Sequence, residues 1–292
     1  MNKFQTTIRD KITCSGVGIH SGNLATITLL PAKSNDGIVF MRKDIRNKAQ
    51  QKIIANYKNV SRTMLGTNLT NEHGITISTV EHLMAALWGM DIDNCIIEVN
   101  GPEIPIMDGS SEPFIFLLES AGKVDLPAKR QFLKINKTVK ITNKDKNASS
   151  TIEPHHRYEI DLTIDFAHKT IAKQQYHYIA EETSFKTDLA RARTFGLEEE
   201  VEYMKSQGLA KGGSLYNAIV VAKDGGVLNE RGLRYDNEFV RHKILDCIGD
   251  LFLSQHLIIG KFTGYRSGHA LNNQLLHELF KDETAWELVE IA

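Results

Sequence analysis

The chain has 292 residues, 41% of them hydrophobic and 24% charged, which at roughly 150 residues per domain suggests two domains. That composition excludes disordered, collagenous and low-complexity architectures. Lys and Arg total 35 against 36 Asp and Glu, without the basic excess that marks a general nucleic-acid binder.

Met1-Asn2-Lys3-Phe4-Gln5-Thr6-Thr7 lacks the apolar run of a signal peptide. Residues 26–30 alternate apolar with β-branched side chains, and Gly37-Ile38-Val39-Phe40 is a second β-rich run. Turn formers separate them: Ser21-Gly22-Asn23, Pro31 and Ser34-Asn35-Asp36-Gly37. From Thr79 the period changes. Val80, Leu83, Met84 and Leu87 fall at i, i+3, i+4 and i+7, predicting an amphipathic helix capped by Ser78 or Thr79 and ended by Gly89. A buried strand is expected over 95–99 and a helix over 113–120.

Residues 122–130 are charged and hold Gly122 and Pro127, so they read as a linker between domains over 1–129 and 130–292. Strands resume over 132–141, 158–166 and 174–179, and 187–192 and 197–207 read as helical. A short strand over 218–221 precedes the longest helix, 238–254, a strand over 257–262 and a helix over 272–280. The apolar stretch 251–260 contains Gln255 and His256 and is shorter than the ~18 residues a membrane span needs. A soluble, cytoplasmic protein is expected. A helix–turn–strand unit recurs, 79–88 into 95–99 and 238–254 into 257–262, each helix with a histidine near its start. Duplication explains this, and so does the commonness of such units.

Eleven histidines stand beside 3 cysteines, so a metal would fall to histidine and carboxylate, and a reducing compartment suits the thiols. His242 and Asp246 are four apart on a helix, roughly 6 Å from each other on one face, with Asp250 a turn further along. Imidazole and carboxylate suit zinc, although an ordinary solvated pair has the same spacing. Glu81 and His82 lie inside an apolar-periodic helix, where burial is costly unless they are paired or liganded. A third ligand and a general base would explain both, and so would a capping or surface pair. The zinc-protease pattern His-Glu-x-x-His is absent.

Tyr265-Arg266-Ser267-Gly268-His269 reads as a loop in which His269 could act as a general acid and Arg266 as an anion contact, or in which both are ordinary loop residues. The segment 184–196 ends in Arg191-Ala192-Arg193-Thr194-Phe195-Gly196. Thr194 could donate to a developing oxyanion, or the segment could simply be a helix ending at a glycine. Gly16-Val17-Gly18-Ile19-His20-Ser21-Gly22 lacks the third glycine, following helix and acidic residue of a dinucleotide fingerprint. Its glycines would instead let backbone approach a ligand or another segment.

Taken in order along nearly the whole chain, these motifs, with Ser78-Thr79-Val80-Glu81-His82-Leu83, Pro102-Glu103-Ile104-Pro105-Ile106-Met107-Asp108-Gly109-Ser110, His242-Lys243-Ile244-Leu245-Asp246 and Ser267-Gly268-His269-Ala270-Leu271-Asn272-Asn273, resemble the UDP-3-O-acyl-N-acetylglucosamine deacetylase family. These are the zinc amidases of lipid A synthesis in Gram-negative bacteria. The resemblance implies an α+β fold of two similar domains, each a β-sheet with paired helices, the helices packed between two outer sheets. It implies one Zn2+ per chain held by His82, His242 and Asp246, with Glu81 as general base and His269 as general acid. Asp250 would orient His269, Thr194 would bond the oxyanion, and Lys243 would bind substrate near the metal. His20, Phe166 and Arg266 match positions that contact the diphosphate or nucleotide; Arg266 stands where the family carries lysine, which changes the contact geometry.

An insert near 195–221 would form an acyl-chain passage, with Phe195, Leu197, Val201, Ala210, Ala218 and Val220 lining it and Glu198 where an apolar residue is expected. The substrate implied is UDP-3-O-acyl-N-acetylglucosamine. No nucleic acid partner and no transmembrane segment are expected, a monomer is the default, and an acylated substrate leaves room for transient contact with the inner-membrane surface. A zinc amidohydrolase acting on another acylated sugar or peptide, and a non-catalytic carbohydrate- or lipid-binding protein, are the alternatives.

Overall fold

The computed structural model describes residues 2–181 and 185–291; Ser184, where the loop segment above begins, lies outside them. Five α-helices stand among the described residues: α1 (Glu81–Gly89), α2 (Glu112–Ala121), α3 (Glu198–Ser206), α4 (Glu238–Leu251) and α5 (His269–Lys281). A five-stranded sheet has the order Ile12–Val17, Leu24–Pro31, Cys95–Val99, Ile38–Arg42, Lys52–Ile54. Along Leu24–Pro31, Ala25, Ile27 and Leu29 are buried while their neighbours are more open, the period-two pattern of a sheet with one packed face.

The second sheet has seven strands and is built around Leu257–Tyr265. That strand pairs in parallel with Phe132–Ile135 at its start. Further on it lies between Ala148–Glu153, antiparallel, and Tyr158–Asp165, parallel. The partner changes at Gly260, where a β-carbon would come 2.6 Å from Ile135 Cγ1. No strand pairing among the described residues joins 2–129 to 130–291.

The helices bring the two sheets together. α2 packs on Ile12–Val17, α5 on Val139–Asn143 and Ala148–Glu153, and α4 on Tyr158–Asp165, while α1 packs along α4. One continuous apolar core results, running from Ile27 and Phe40 through Leu83 and Leu87 to Ile244, Ile248 and Phe262. α1 and α4 come close at Gly249, where a β-carbon would lie 2.1 Å from the Glu81 carbonyl oxygen. Backbone, rather than a flexible side chain, blocks the space. Gly249→Ala is therefore expected to cost roughly 1–3 kcal/mol of stability by overpacking. Thermal melts check this.

Several expectations change. Residues 123–129 are not a linker but a strand, antiparallel to Phe4–Ile8. Its burial alternates, and Pro127 sits where the register shifts between Phe4 and Thr6, so the missing N–H breaks no regular ladder. The strand over 132–141 divides into Phe132–Ile135 and Val139–Asn143. Neither Ser78 nor Thr79 caps α1. Val80 occupies that position, and Thr79 adopts φ +59°, unusual for a β-branched residue. A π-turn spans Phe185–Leu189, so only 187–189 of the expected helix over 187–192 is helical, and α5 begins at His269 rather than near Asn272.

Candidate active site

α1 is buried on every side through Leu87: Glu81, His82, Leu83, Met84, Ala85 and Ala86 are all enclosed. Two polar residues on an enclosed helix must find partners inside the protein. α4 supplies them. Its i, i+4, i+8 series His242, Asp246 and Asp250 is buried and faces α1. His82 Nε2 and His242 Nε2 lie 3.4 and 3.3 Å from the same Asp246 oxygen, Oδ1, and the two rings meet edge to face.

His242 Nδ1 lies 3.0 Å from the Ala192 carbonyl. A carbonyl only accepts, so Nδ1 carries the ring proton and Nε2 presents its lone pair to the cluster. Burial is the main cause that pushes the His242 pKa down to about 3, which keeps the ring neutral. Burial opposes ionisation of Asp246, but the cationic groups around it, including the Lys243 ammonium at 2.9 Å, hold its carboxyl well below the usual range.

One donor atom from each of His82, His242 and Asp246 falls within 4.8 Å of the others. Asp246 Oδ1 and His82 Nδ1 are buried with no hydrogen-bond partner. The three side chains form a set that could hold a metal ion, and two imidazoles with one carboxylate fit a borderline divalent cation.

Glu81 does not belong to that donor set. Its Oε2 accepts from Thr67 N at 3.0 Å. Burial raises its pKa above the usual carboxylate value, partly offset by His269 and His82. Across the cavity, His269 opens α5 with its Nδ1 2.8 Å from Asp250 Oδ2. Asp250 also accepts from Thr67 Oγ1 at 2.6 Å and Asn272 Nδ2 at 2.9 Å. Burial favours the neutral ring, but the charge and hydrogen bond of Asp250, then Asp246 and Glu81, outweigh it and raise the His269 pKa to about 9. His269 is thus a cation at neutral pH. Asp250→Asn removes the largest raising influence, so the pKa should fall toward the ordinary value of ~6.5. The His269 titration is expected to move to lower pH by about one unit or more. An NMR titration of the imidazole in the variant measures it.

A cavity of about 570 Å³ opens beside this cluster. Glu81, His82, His242, Lys243, Asp246 and His269 line it, together with His20 and Thr194. Val201, Met204, Ala210, Leu215, Ala218 and Val220 from the insert add an apolar lining with Ile19 and Leu228, beside Glu202 and Lys205. Glu198 also lines it, while its Oε2 accepts from Lys223 N at 3.1 Å. Phe195 lies between this cavity and a side pocket of about 180 Å³ that Phe166 and Leu197 line. Leu197 therefore faces the side pocket rather than the apolar passage. The Phe166 and Phe195 rings meet at 5.7 Å, and Lys243 Nζ lies 5.8 Å over Phe195. Arg266 is not brought into the main cavity; it ends the strand Leu257–Tyr265 with φ +49° and donates its N–H to Thr163 O.

Two residues that serve this site were missed. Thr67 bridges Glu81 and Asp250, and Asn272 supports Asp250. A lone threonine has no sequence signature, and the asparagine was visible only as part of a longer motif.

The sequence matches the family described as UDP-3-O-acyl N-acetylglycosamine deacetylase over residues 5–281. It is similar to the UDP-3-O-acyl-N-acetylglucosamine deacetylases of Shewanella sp. (strain ANA-3) and Shewanella baltica (strain OS155 / ATCC BAA-1091). Each is 47% identical over 288 residues, 98% of this chain and 92% of the relative.

Proposed function

The chain belongs to the UDP-3-O-acyl N-acetylglycosamine deacetylase family, and from that premise we propose that its buried cluster is a zinc centre that removes the N-acetyl group of UDP-3-O-acyl-N-acetylglucosamine in lipid A biosynthesis. The observation that carries the zinc assignment is the convergence of His82, His242 and Asp246, with Asp246 Oδ1 buried between the two imidazoles and without a hydrogen-bond partner. When bound, the ion supplies Lewis acidity toward the amide carbonyl and the attacking water.

The protein's own residues do the rest. Glu81 takes the proton of the water as it attacks the amide. His269, protonated and held by Asp250, delivers a proton to the departing amine. Thr194 donates to the oxygen on which charge develops. Lys243 lies beside the metal ligands, placed to bind polar substrate atoms. His20 and Phe166 bind the nucleotide diphosphate portion, with Arg266 contributing from outside the main cavity. The acyl chain follows the apolar lining past Phe195, Val201, Ala210, Ala218 and Val220.

The division into 1–129 and 130–292 then has a chemical meaning, since Glu81 and His82 come from the first part and His242, Asp246 and His269 from the second. We place the enzyme in the cytoplasm as a monomer, where its three free cysteines stay reduced. No helix among the described residues is long and apolar enough to cross a membrane.

Purified protein should contain about one zinc per chain and release acetate from the full substrate. Substrates lacking the UDP or the acyl portion should turn over more slowly, because remote binding energy is lost. Protein without zinc or acetate release would be a binding protein, and equal turnover of the truncated amides would mark a broader amidohydrolase.

A further inference from the structure

Arg193 and Glu238 form an ion pair that the reaction does not use. Glu238 opens α4, one turn before His242, and is fully enclosed; Arg193 is nearly so. Removing two opposite charges from water costs several kcal/mol each before their attraction is counted, so such a pair is weak evidence of stabilisation and calls for another role. Its geometry suggests one. Glu238 Oε1 accepts from Arg193 N at 3.0 Å and Arg193 Nε at 2.8 Å, and Oε2 accepts from Arg193 Nη2 at 3.1 Å. The Arg234 N–H also donates to Oε2, and Arg193 Nη2 reaches the Gly232 carbonyl at 2.8 Å.

The carboxylate thus holds both the side chain and the backbone of residue 193. On either side of it stand the two groups that touch the site. The Ala192 carbonyl fixes the His242 ring. Thr194 lines the cavity, its N–H donating to Gly109 O and its carbonyl accepting from Ile219 N, both at 2.8 Å.

We propose that Arg193 and Glu238 are positioning residues of the metal centre: the pair clamps Ala192–Thr194 to the start of α4, so that the Ala192 carbonyl holds His242 with Nε2 toward the metal and Thr194 faces the reacting amide. Glu238 and His242 share one helix, so the clamp ties the carbonyl that orients the ligand to the helix that carries it. Partners that orient a ligating histidine typically change metal affinity 10–100-fold when lost. The inference rests on the zinc reading above.

The test measures zinc release into a chelator trap, well below the melting temperature, alongside kcat and KM. Glu238→Gln turns an amide N–H toward a donor. Arg193→Lys keeps the charge and loses the planar fork. Arg193→Met with Glu238→Leu removes both charges, a replacement that buried pairs often tolerate in stability. Zinc should leave Glu238→Gln and the double variant about 10–100 times faster than the parent, with kcat lower and KM little changed, and Arg193→Lys intermediate. Folded variants that release zinc and turn over at the parent rate overturn the proposal, as does a double variant that folds with parental release while the single variants merely destabilise. If the charge-free variant does not fold, parental release from Arg193→Lys overturns it alone. A parent that binds no zinc would instead overturn the zinc reading.

Discussion

Glu81→Gln is expected to retain about one zinc per chain and to lose roughly 10²–10⁴-fold in kcat, the usual worth of a general base. The substitution is close to isosteric. Gln keeps a carbonyl oxygen for Thr67 N, the contact that Glu81 Oε2 makes at 3.0 Å, so the start of α1 should stay in place. What it cannot do is accept a proton from water. Because burial raises the Glu81 pKa, the parent rate should fall on the acid side as this carboxylate is protonated. In the proposed mechanism the His269 proton, held up to about 9 by Asp250, sets the alkaline side. Glu81→Gln should lose the acid limb and keep the alkaline one. Metal content, melting temperature and a rate–pH profile on one preparation separate the explanations. Parental kcat in the zinc-loaded variant would remove Glu81 from the mechanism.

His82→Ala, one residue along, should give the opposite pairing of results. It deletes one of the three converging donors, so zinc affinity should fall by more than the 10–100-fold that loss of an orienting partner costs. At ordinary zinc concentrations its activity should approach background. Asp246 keeps its ion pair with Lys243 at 2.9 Å, and His242 keeps its hydrogen bond to the Ala192 carbonyl at 3.0 Å, so the metal-free protein should still fold. Equilibrium zinc titration against a competing chelator, with circular dichroism as the control for folding, measures this. Parental zinc affinity in a folded His82→Ala protein would remove His82 from the ligand set. Two adjacent residues with opposite effects on metal and rate would be hard to explain as a general disturbance of α1.

Local chemistry was readable wherever one element carries it. The i, i+4, i+8 relation of His242, Asp246 and Asp250 is a property of any α-helix, and those three do share a buried face. The change of period near residue 79 likewise located α1. Reading failed where partner choice matters. Residues 123–129 look like a linker by composition, yet Phe4–Ile8, far away in sequence, supplies the hydrogen bonds that make them a strand. His269 reads as a loop residue because the glycine before it suggests irregular chain, whereas Gly268 is the extended residue that starts α5. Leu197 sits within the insert, but its position in a strand paired with Ile219–Val221 takes it to the side pocket.

By itself, the sequence determined the course of α1 and α4, the i, i+4, i+8 series on α4, and the ordered motifs that mark the family, because periodicity and motif order are encoded along one stretch of backbone. The tertiary structure decided that α1 is enclosed all round through Leu87, that Gly249 lets the Glu81 backbone approach α4, and that Thr67 and Asn272 join Asp250. It also decided that a buried Arg193–Glu238 pair stands behind His242. These features depend on which surfaces pack against one another, and non-local packing energy leaves no period in the chain.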